Sequence, residues 1–394
     1  MDGLFRSIAG LLLVVLVPAA QARVELVGRT SIPGSATDRS GLSGRYTNAQ
    51  GESIPANQLG SFGSGITYSG DGDLYYAAND RGFGDGTSAS ADRFHVFEIK
   101  ADPKAKSVTV ELRATRFLTD EHGAGFVGLS RPDPLRFDPE GIRVGRDGHL
   151  YVSDEYGPFV YEFSPQGRRV KVWNVPAKFA VANPNADEET EIQSNRSGRV
   201  TNKGMEGLAI TPDGRALFGC MQSPLIQDGG RKGVNVRILR IDLADGATRE
   251  YVYPLAGPKY AVSEILAVDD HRFLVLEREG KAGAEASFKK LFLVDVQNAS
   301  DVSDTGTSPT NGLPEKALPL NVKAVSKRPF LDLLDPRFSL AGADFPAKVE
   351  GLTWGPDLAD GRRLLLVTTD NDLRADQPSW IYAFAVDRTD LGPE

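Results

Sequence analysis

The stretch Glu140-Gly141-Ile142-Arg143-Val144, followed by Arg146-Asp147-Gly148 and then by Leu150-Tyr151-Val152-Ser153-Asp154-Glu155-Tyr156-Gly157, holds the pattern that decides the fold. Two largely apolar runs flank an Asp-Gly pair, and Asp-Gly supplies the positive φ that a tight hairpin requires. The unit reads as a hairpin with an acid where its first strand begins and a polar cluster where its second ends. The same order recurs four times. Ser64-Gly65-Ile66-Thr67-Tyr68 leads to Asn79-Asp80-Arg81-Gly82, and Glu206-Gly207-Leu208-Ala209-Ile210 leads to Met221-Gln222-Ser223. Ser263-Glu264-Ile265-Leu266-Ala267 leads to Leu276-Glu277-Arg278-Glu279, and Glu350-Gly351-Leu352-Thr353-Trp354 leads to Thr369-Asp370-Asn371-Asp372.

Working outward, each hairpin is followed by a third apolar run: 94–100, 160–164, 236–242, 290–296 and 380–386. A fourth follows in four units, at 108–113, 169–173, 249–253 and 322–333, the last interrupted by Pro329. The fifth unit stops near the C-terminus, and Val24 to Thr30 offers the missing strand. Radial repetition of four-stranded units is one way an antiparallel protein limits exposed sheet edges. The predicted fold is therefore all-β: a propeller of antiparallel blades, five favoured, closed by an N-terminal strand. A sixth blade would have to come from 28–60 or 298–349. Residues 183–199 and 301–310 are polar excursions, and helical periodicity is scarce.

Residues 1–22 stand outside this pattern. Arg6, the apolar run Ile8 to Val17 and Ala20-Gln21-Ala22 have the order of a signal peptide, so the mature chain is expected to start near Arg23. The apolar run is about half the roughly 20 residues of a spanning helix. The expected location is periplasmic or secreted, with residues 23–394 forming a single propeller domain. With one cysteine, Cys220, the chain cannot form an internal disulfide. A net charge of −8 with no long Lys/Arg run argues against a nucleic-acid partner.

The acids give the chemistry. Innermost strands of a propeller begin beside its axis, so Ser64, Glu140, Glu206, Glu264 and Glu350 are expected to ring it. Like charges that close require protonation or a counter-ion. A hard divalent cation, calcium above all, suits such an oxygen set. The alternative is that these glutamates accept backbone N–H bonds or pair with Lys203, Arg143 or Lys348. Zinc is disfavoured, because His95, His122, His149 and His271 lie apart and there is no cysteine pair. The second-strand ends add Asp154, Glu155, Asp80, Glu277 and Asp370 as candidate acids and bases, with Arg81, Lys203, Arg278 and Asn371 as substrate-binding candidates. No Gly-x-Ser-x-Gly elbow occurs, which disfavours serine-hydrolase chemistry.

Ser64-Gly65-Ile66 to Asn79-Asp80-Arg81-Gly82, Asp138-Pro139-Glu140-Gly141-Ile142 to Ser153-Asp154-Glu155-Tyr156-Gly157, Lys203-Gly204-Met205-Glu206-Gly207-Leu208 and Glu350-Gly351-Leu352 to Asp370-Asn371-Asp372 together resemble the phytase-like domain family, described as having esterase-like activity of phytase. The resemblance spans about 60–386. It implies an exported propeller that hydrolyses a small-molecule phosphoester or other ester. Basic residues on the expected face look few, which argues against phytate itself. The competing expectation is a non-catalytic propeller that binds a ligand or partner around a structural calcium ion.

Overall fold

The computed structural model describes residues 23–392 except Ala49 and Pro158. The expected signal peptide lies outside the described residues. Five four-stranded antiparallel sheets form the blades. From the axis outward, blade I comprises Gly65–Tyr68, Leu74–Ala78, Arg93–Asp102 and Ser107–Phe117; blade II comprises Pro139–Val144, Leu150–Asp154, Val160–Phe163 and Arg169–Trp173. Blade III comprises Met205–Ile210, Ala216–Met221, Asn235–Asp242 and Thr248–Pro254, and blade IV comprises Ala261–Ala267, Arg272–Arg278, Lys289–Asp295 and Ser326–Asp332. Blade V takes three strands from the C-terminal region, Lys348–Trp354, Arg363–Asp370 and Ser379–Val386. The N-terminal strand Val24–Ile32 supplies the fourth, pairing antiparallel along Ser379–Val386. The ring is thus closed by chain ends that are remote in sequence.

Neither candidate for a sixth blade forms one. Residues 28–60 continue the closing strand and then make a short hairpin of Arg45–Thr47 with Ser53–Pro55. Residues 298–349 give only the outermost strand of blade IV, where Pro329 sits beside a register shift, a position an edge strand tolerates. The cores lie mainly between blades. Ile66, Phe97 and Val108 of blade I pack with Leu366 and Ala383 of blade V, for example, and Leu276 and Leu293 of blade IV pack with Leu352 and Phe384 of blade V. The alternation of each strand feeds both flanking interfaces.

Candidate functional site

The inner strands are not regular. Each of the four in blades II to V carries a register shift near its start: between Pro139 and Ile142, Met205 and Gly207, Val262 and Glu264, and Val349 and Leu352. Such bulges re-aim a side chain at the rim of a sheet. Aligned on their ladder partners, Ser64, Glu140, Glu206, Ser263 and Glu350 share one position, and Gly65, Gly141, Gly207, Glu264 and Gly351 share the next. This corrects the sequence-based ring by one residue in blade IV, where Ser263 takes the place assigned to Glu264.

Glycine at the second position reflects the close approach of adjacent inner strands. A Cβ on Gly65 would stand 2.2 Å from the Glu140 carbonyl oxygen, and one on Gly207 would stand 2.7 Å from the Ile265 nitrogen. Blade IV alone has a side chain there. Glu264 accepts the N–H groups of Leu208 and Ile265, each at 2.9 Å, and pairs with Arg143 at 2.8 Å. Arg143 also donates to the carbonyls of Ile66 and Ile265, both at 2.9 Å. This buried pair ties the inner strands of four blades together across the axis. Burial raises the Glu264 carboxyl to about 7 against the pull of Arg143.

A second tier comes from the second strands. Ala78, Ser153, Cys220, Leu276 and Thr368 stand beside the glycine-position residues, so period-two alternation turns Asp80, Glu155, Gln222, Arg278 and Asp370 to the axis. The residues adjacent to them turn away. Asp154 accepts the N–H groups of Asp138, Tyr156 and Gly157 at 3.0, 3.2 and 2.7 Å, and so shapes its loop from within. Glu277 is held by the Tyr253 hydroxyl and the Ala256 N–H, each at 2.7 Å, and by Lys327. Asn371 spends its oxygen on the N–H groups of Ser61 and Leu373 and its amide on the carbonyls of Arg374 and Gln377.

The two tiers open into a cavity of about 280 Å³, with Asp80, Glu140, Glu155, Glu206, Glu279 and Glu350 among its walls. Arg81, Lys203, Lys259, Arg278 and Lys348 also line it. The expectation that basic residues are few on this face is therefore corrected. Most of these cations are already engaged. Arg81 donates to Asp138 at 3.1 Å and to Glu155 at 3.5 Å, and it holds Asp85 in the segment Gly82-Phe83-Gly84-Asp85-Gly86 that follows it. Arg278 bonds Ser263 at 2.8 Å and pairs with Glu350, which also accepts from Ser64 at 3.3 Å. Lys348 pairs with Asp370 at 3.1 Å and with Asp372. Burial, the largest influence, pushes the Asp370 carboxyl up, but Lys348 and the hydrogen bonds from Asp372 together outweigh it and the net shift is downward. Lys203 donates to the neutral Gln222 at 2.9 Å.

The anionic half, on blades I to III, is less satisfied. Glu140 is 5 % exposed, and among the described residues it has neither a hydrogen-bond donor nor a counter-ion. Oxygen Oε2 of Glu206 is buried without a hydrogen-bond partner among the described residues. Burial drives both carboxyls well above the usual range, and the surrounding acids drive them further. Asp80 is raised in the same way by burial and by Asp138, whereas Asp138 itself rises to about 7 through burial despite Arg81. Glu140, Glu155 and Glu206 each place one oxygen within 4.8 Å of the others, as do Asp80, Asp138 and Glu140. A donor set of carboxylate oxygens, one of them an orphan, fits a hard cation and offers no nitrogen or sulfur to a softer one.

Sequence reasoning gave no site role to Asp138, took Lys348 only as a partner for the ring glutamates, and missed Gln222 and Lys259. The first two carried a signal: each stands two residues before the ring glutamate of its blade, on the same side of the strand. Lys259 lies in a connecting loop and reaches the cavity only through blade closure.

A model of the phytase-like family, described as esterase-like activity of phytase, matches residues 57–373. An uncharacterized secreted protein of Arthroderma benhamiae is 28% identical over 371 residues, covering 73% of this chain and 68% of its own. Among solved structures, a gluconolactonase from Xanthomonas campestris aligns with TM-score 0.36 and 12% identity, over 90% of this chain and 99% of its own. An ancestral GH74 enzyme aligns with TM-score 0.37 and 12% identity over 80% of this chain, which spans only 34% of that enzyme. These structures are too distant to bear on function. With most of its length matched by the family model and its blades built from that family's motifs, the chain belongs to the phytase-like family.

Proposed function

We propose that the protein is an exported, calcium-dependent hydrolase of a phosphoester or other small-molecule ester, working in the axial cavity. The observation that carries this reading is Glu140, a buried carboxylate without donor or counter-ion among the described residues, beside an oxygen of Glu206 that is likewise unpartnered among them. Glu140, Glu155 and Glu206 are the residues that would hold the cation. Their all-oxygen chemistry favours calcium. When bound, such an ion polarises an ester oxygen and lowers the pKa of a water. Asp80, whose carboxyl burial raises, is placed to hold or accept a proton at neutral pH. Arg278, Lys348 and Lys203, which line the same cavity, orient an anionic group. Family membership and the secreted relative support hydrolysis and export. No described helix is long and apolar enough to cross a membrane.

The test is a panel of phosphomonoesters, phosphodiesters and carboxylic esters, each assayed with calcium and with chelator. Turnover of at least one class, lost on chelation, is expected. A protein that binds calcium and hydrolyses none of them is a binding propeller with a structural ion.

A further inference from the structure

We propose that the cavity holds two divalent cations, which share Glu140 as a common ligand. The inference deepens the cation-dependent reading above and rests on it. Glu140 belongs to two carboxylate triads, Asp80–Asp138–Glu140 and Glu140–Glu155–Glu206, and within each the ligand oxygens lie within 4.8 Å of one another. The triads spread from Glu140 in different directions. One reaches the end of the second strand of blade I; the other reaches the ring position of blade III.

Charge separates one ion from two. The two triads hold five carboxylates, and among the described residues Arg81 is the only guanidinium within 4 Å of them, at 3.1 Å from Asp138 and 3.5 Å from Glu155. Arg278 acts on Glu206, and Lys203 and Arg199 on Glu155, from farther away. Lys348 stands 3.7 Å from Asp80 and closer to Asp370 and Asp372. Fully ionised, the set keeps four negative charges beyond Arg81. Lys348, shared with Asp370 and Asp372, and the more distant Arg278 and Lys203 offset part of this excess. The excess around Glu140 that remains is shared by both triads, so a cation in one triad alone leaves the far acids of the other without an ion.

The second observation is Glu140 itself. It is buried, lies in both triads and lacks any donor among the described residues, so both of its oxygens are available. Asp138 accepts from the Arg81 backbone at 3.2 Å and from its side chain at 3.1 Å, and a carboxylate oxygen retains a further lone-pair direction for an ion. A shared-carboxylate pair favours a phosphoester over a neutral ester, because two non-bridging phosphoryl oxygens can each face one cation.

Calorimetric titration of the metal-stripped protein with calcium gives the stoichiometry, which is expected to be two ions per chain. Asp80→Asn and Asp138→Asn should each weaken one site at least tenfold and retain the other, Glu206→Gln should do the reverse, and Glu140→Gln should weaken both. Titration with manganese(II) provides a readout that needs no variant: ions sharing a carboxylate give an exchange-coupled paramagnetic resonance spectrum, and separate ions give the isolated six-line signal. A stoichiometry of one, or two uncoupled manganese ions, overturns the shared centre and leaves the single-cation hydrolase standing. A stoichiometry of zero removes both.

Discussion

Two buried charge networks lie in this propeller, and they are finished differently. Beneath blade III, Arg237 donates to both oxygens of Asp228, at 2.6 and 2.9 Å, and to Glu250 at 2.6 Å, while Lys178 reaches Glu250 at 2.8 Å. Two cations face two carboxylates. On the axis, acids outnumber bases around Glu140, and an oxygen of Glu206 faces nothing. The lateral network is closed by its own residues and holds the excursions around 178, 228 and 302 to the blade. The axial one is complete only with something from outside.

The sharpest way to break the comparison is to remove one member of each network. Arg237→Met strands the buried carboxylate of Asp228 and leaves Glu250 to Lys178 alone, and an uncompensated charge of that kind costs about 3–5 kcal/mol. Denaturant melts should show a loss of that size. Glu140→Gln removes a charge that has no partner, so in chelator the variant should melt at or above the parent. A large loss for Glu140→Gln in chelator would mean that the axial network is also structural.

Calcium should act on the axis alone. At a hundredfold excess over its dissociation constant, an ion that binds only the folded ring adds about 2.7 kcal/mol. Thermal melts of the parent should rise with calcium, and those of Glu140→Gln should rise far less. The Arg237→Met protein should keep its calcium increment if it folds.

A smaller effect sharpens the same contrast through pH. Asp80, Asp138, Glu140 and Glu206 all have raised carboxyl pKa values in the folded chain, chiefly through burial. Their contribution to stability is therefore fully present below the unfolded values, roughly pH 4, and is lost as pH rises through about 7, where Asp138 titrates. Buried His95 is held well below its ordinary value, so it works in the opposite sense and favours stability above about pH 6.5. His95 lies outside the cavity and contributes equally with and without the ion. The calcium-induced rise in melting temperature should thus grow from pH 5 to pH 7.5, because the ion binds deprotonated carboxylates. A rise independent of pH would place the ion elsewhere.

Much of this architecture is legible in the chain. The Asp-Gly turns and two-residue alternation are local signals, and they yield the five hairpins and the N-terminal closing strand. The one-residue error at Ser263–Glu264 arose because a bulge is fixed by its ladder, not by the strand's own residues. A hint was present: glycine follows Ser64, Glu140, Glu206 and Glu350, whereas Ile265 follows Glu264. Aligning on glycine would have put Ser263 in the ring. The separation of Glu155 from Asp154 needed the same register, since adjacent residues face opposite ways. Lys259 and the Arg143–Glu264 pair depend on blades meeting, which no local pattern encodes.

Ser64 gives the smallest and most discriminating test. It shares the ring position with Glu140 and Glu206, which as a sequence pattern marks it as a cation ligand. In the folded protein its hydroxyl donates to Glu350 at 3.3 Å, on the side of the cavity where Arg278 already neutralises that carboxylate. Ser64 is absent from both acidic triads, being neither acid nor imidazole, so ligation has to be tested directly. If its role is the bond to Glu350, Ser64→Ala should cost about 1 kcal/mol, the net worth of an ordinary hydrogen bond. Calcium affinity should then stay within about twofold, because a change of 1.4 kcal/mol would be needed for tenfold. Melting and calcium titration on the same preparation separate the outcomes. A tenfold weaker calcium affinity with unchanged chelator-state melting would return Ser64 to the coordination sphere and move the cation toward Glu350, away from the half of the cavity where Glu140 stands unpartnered.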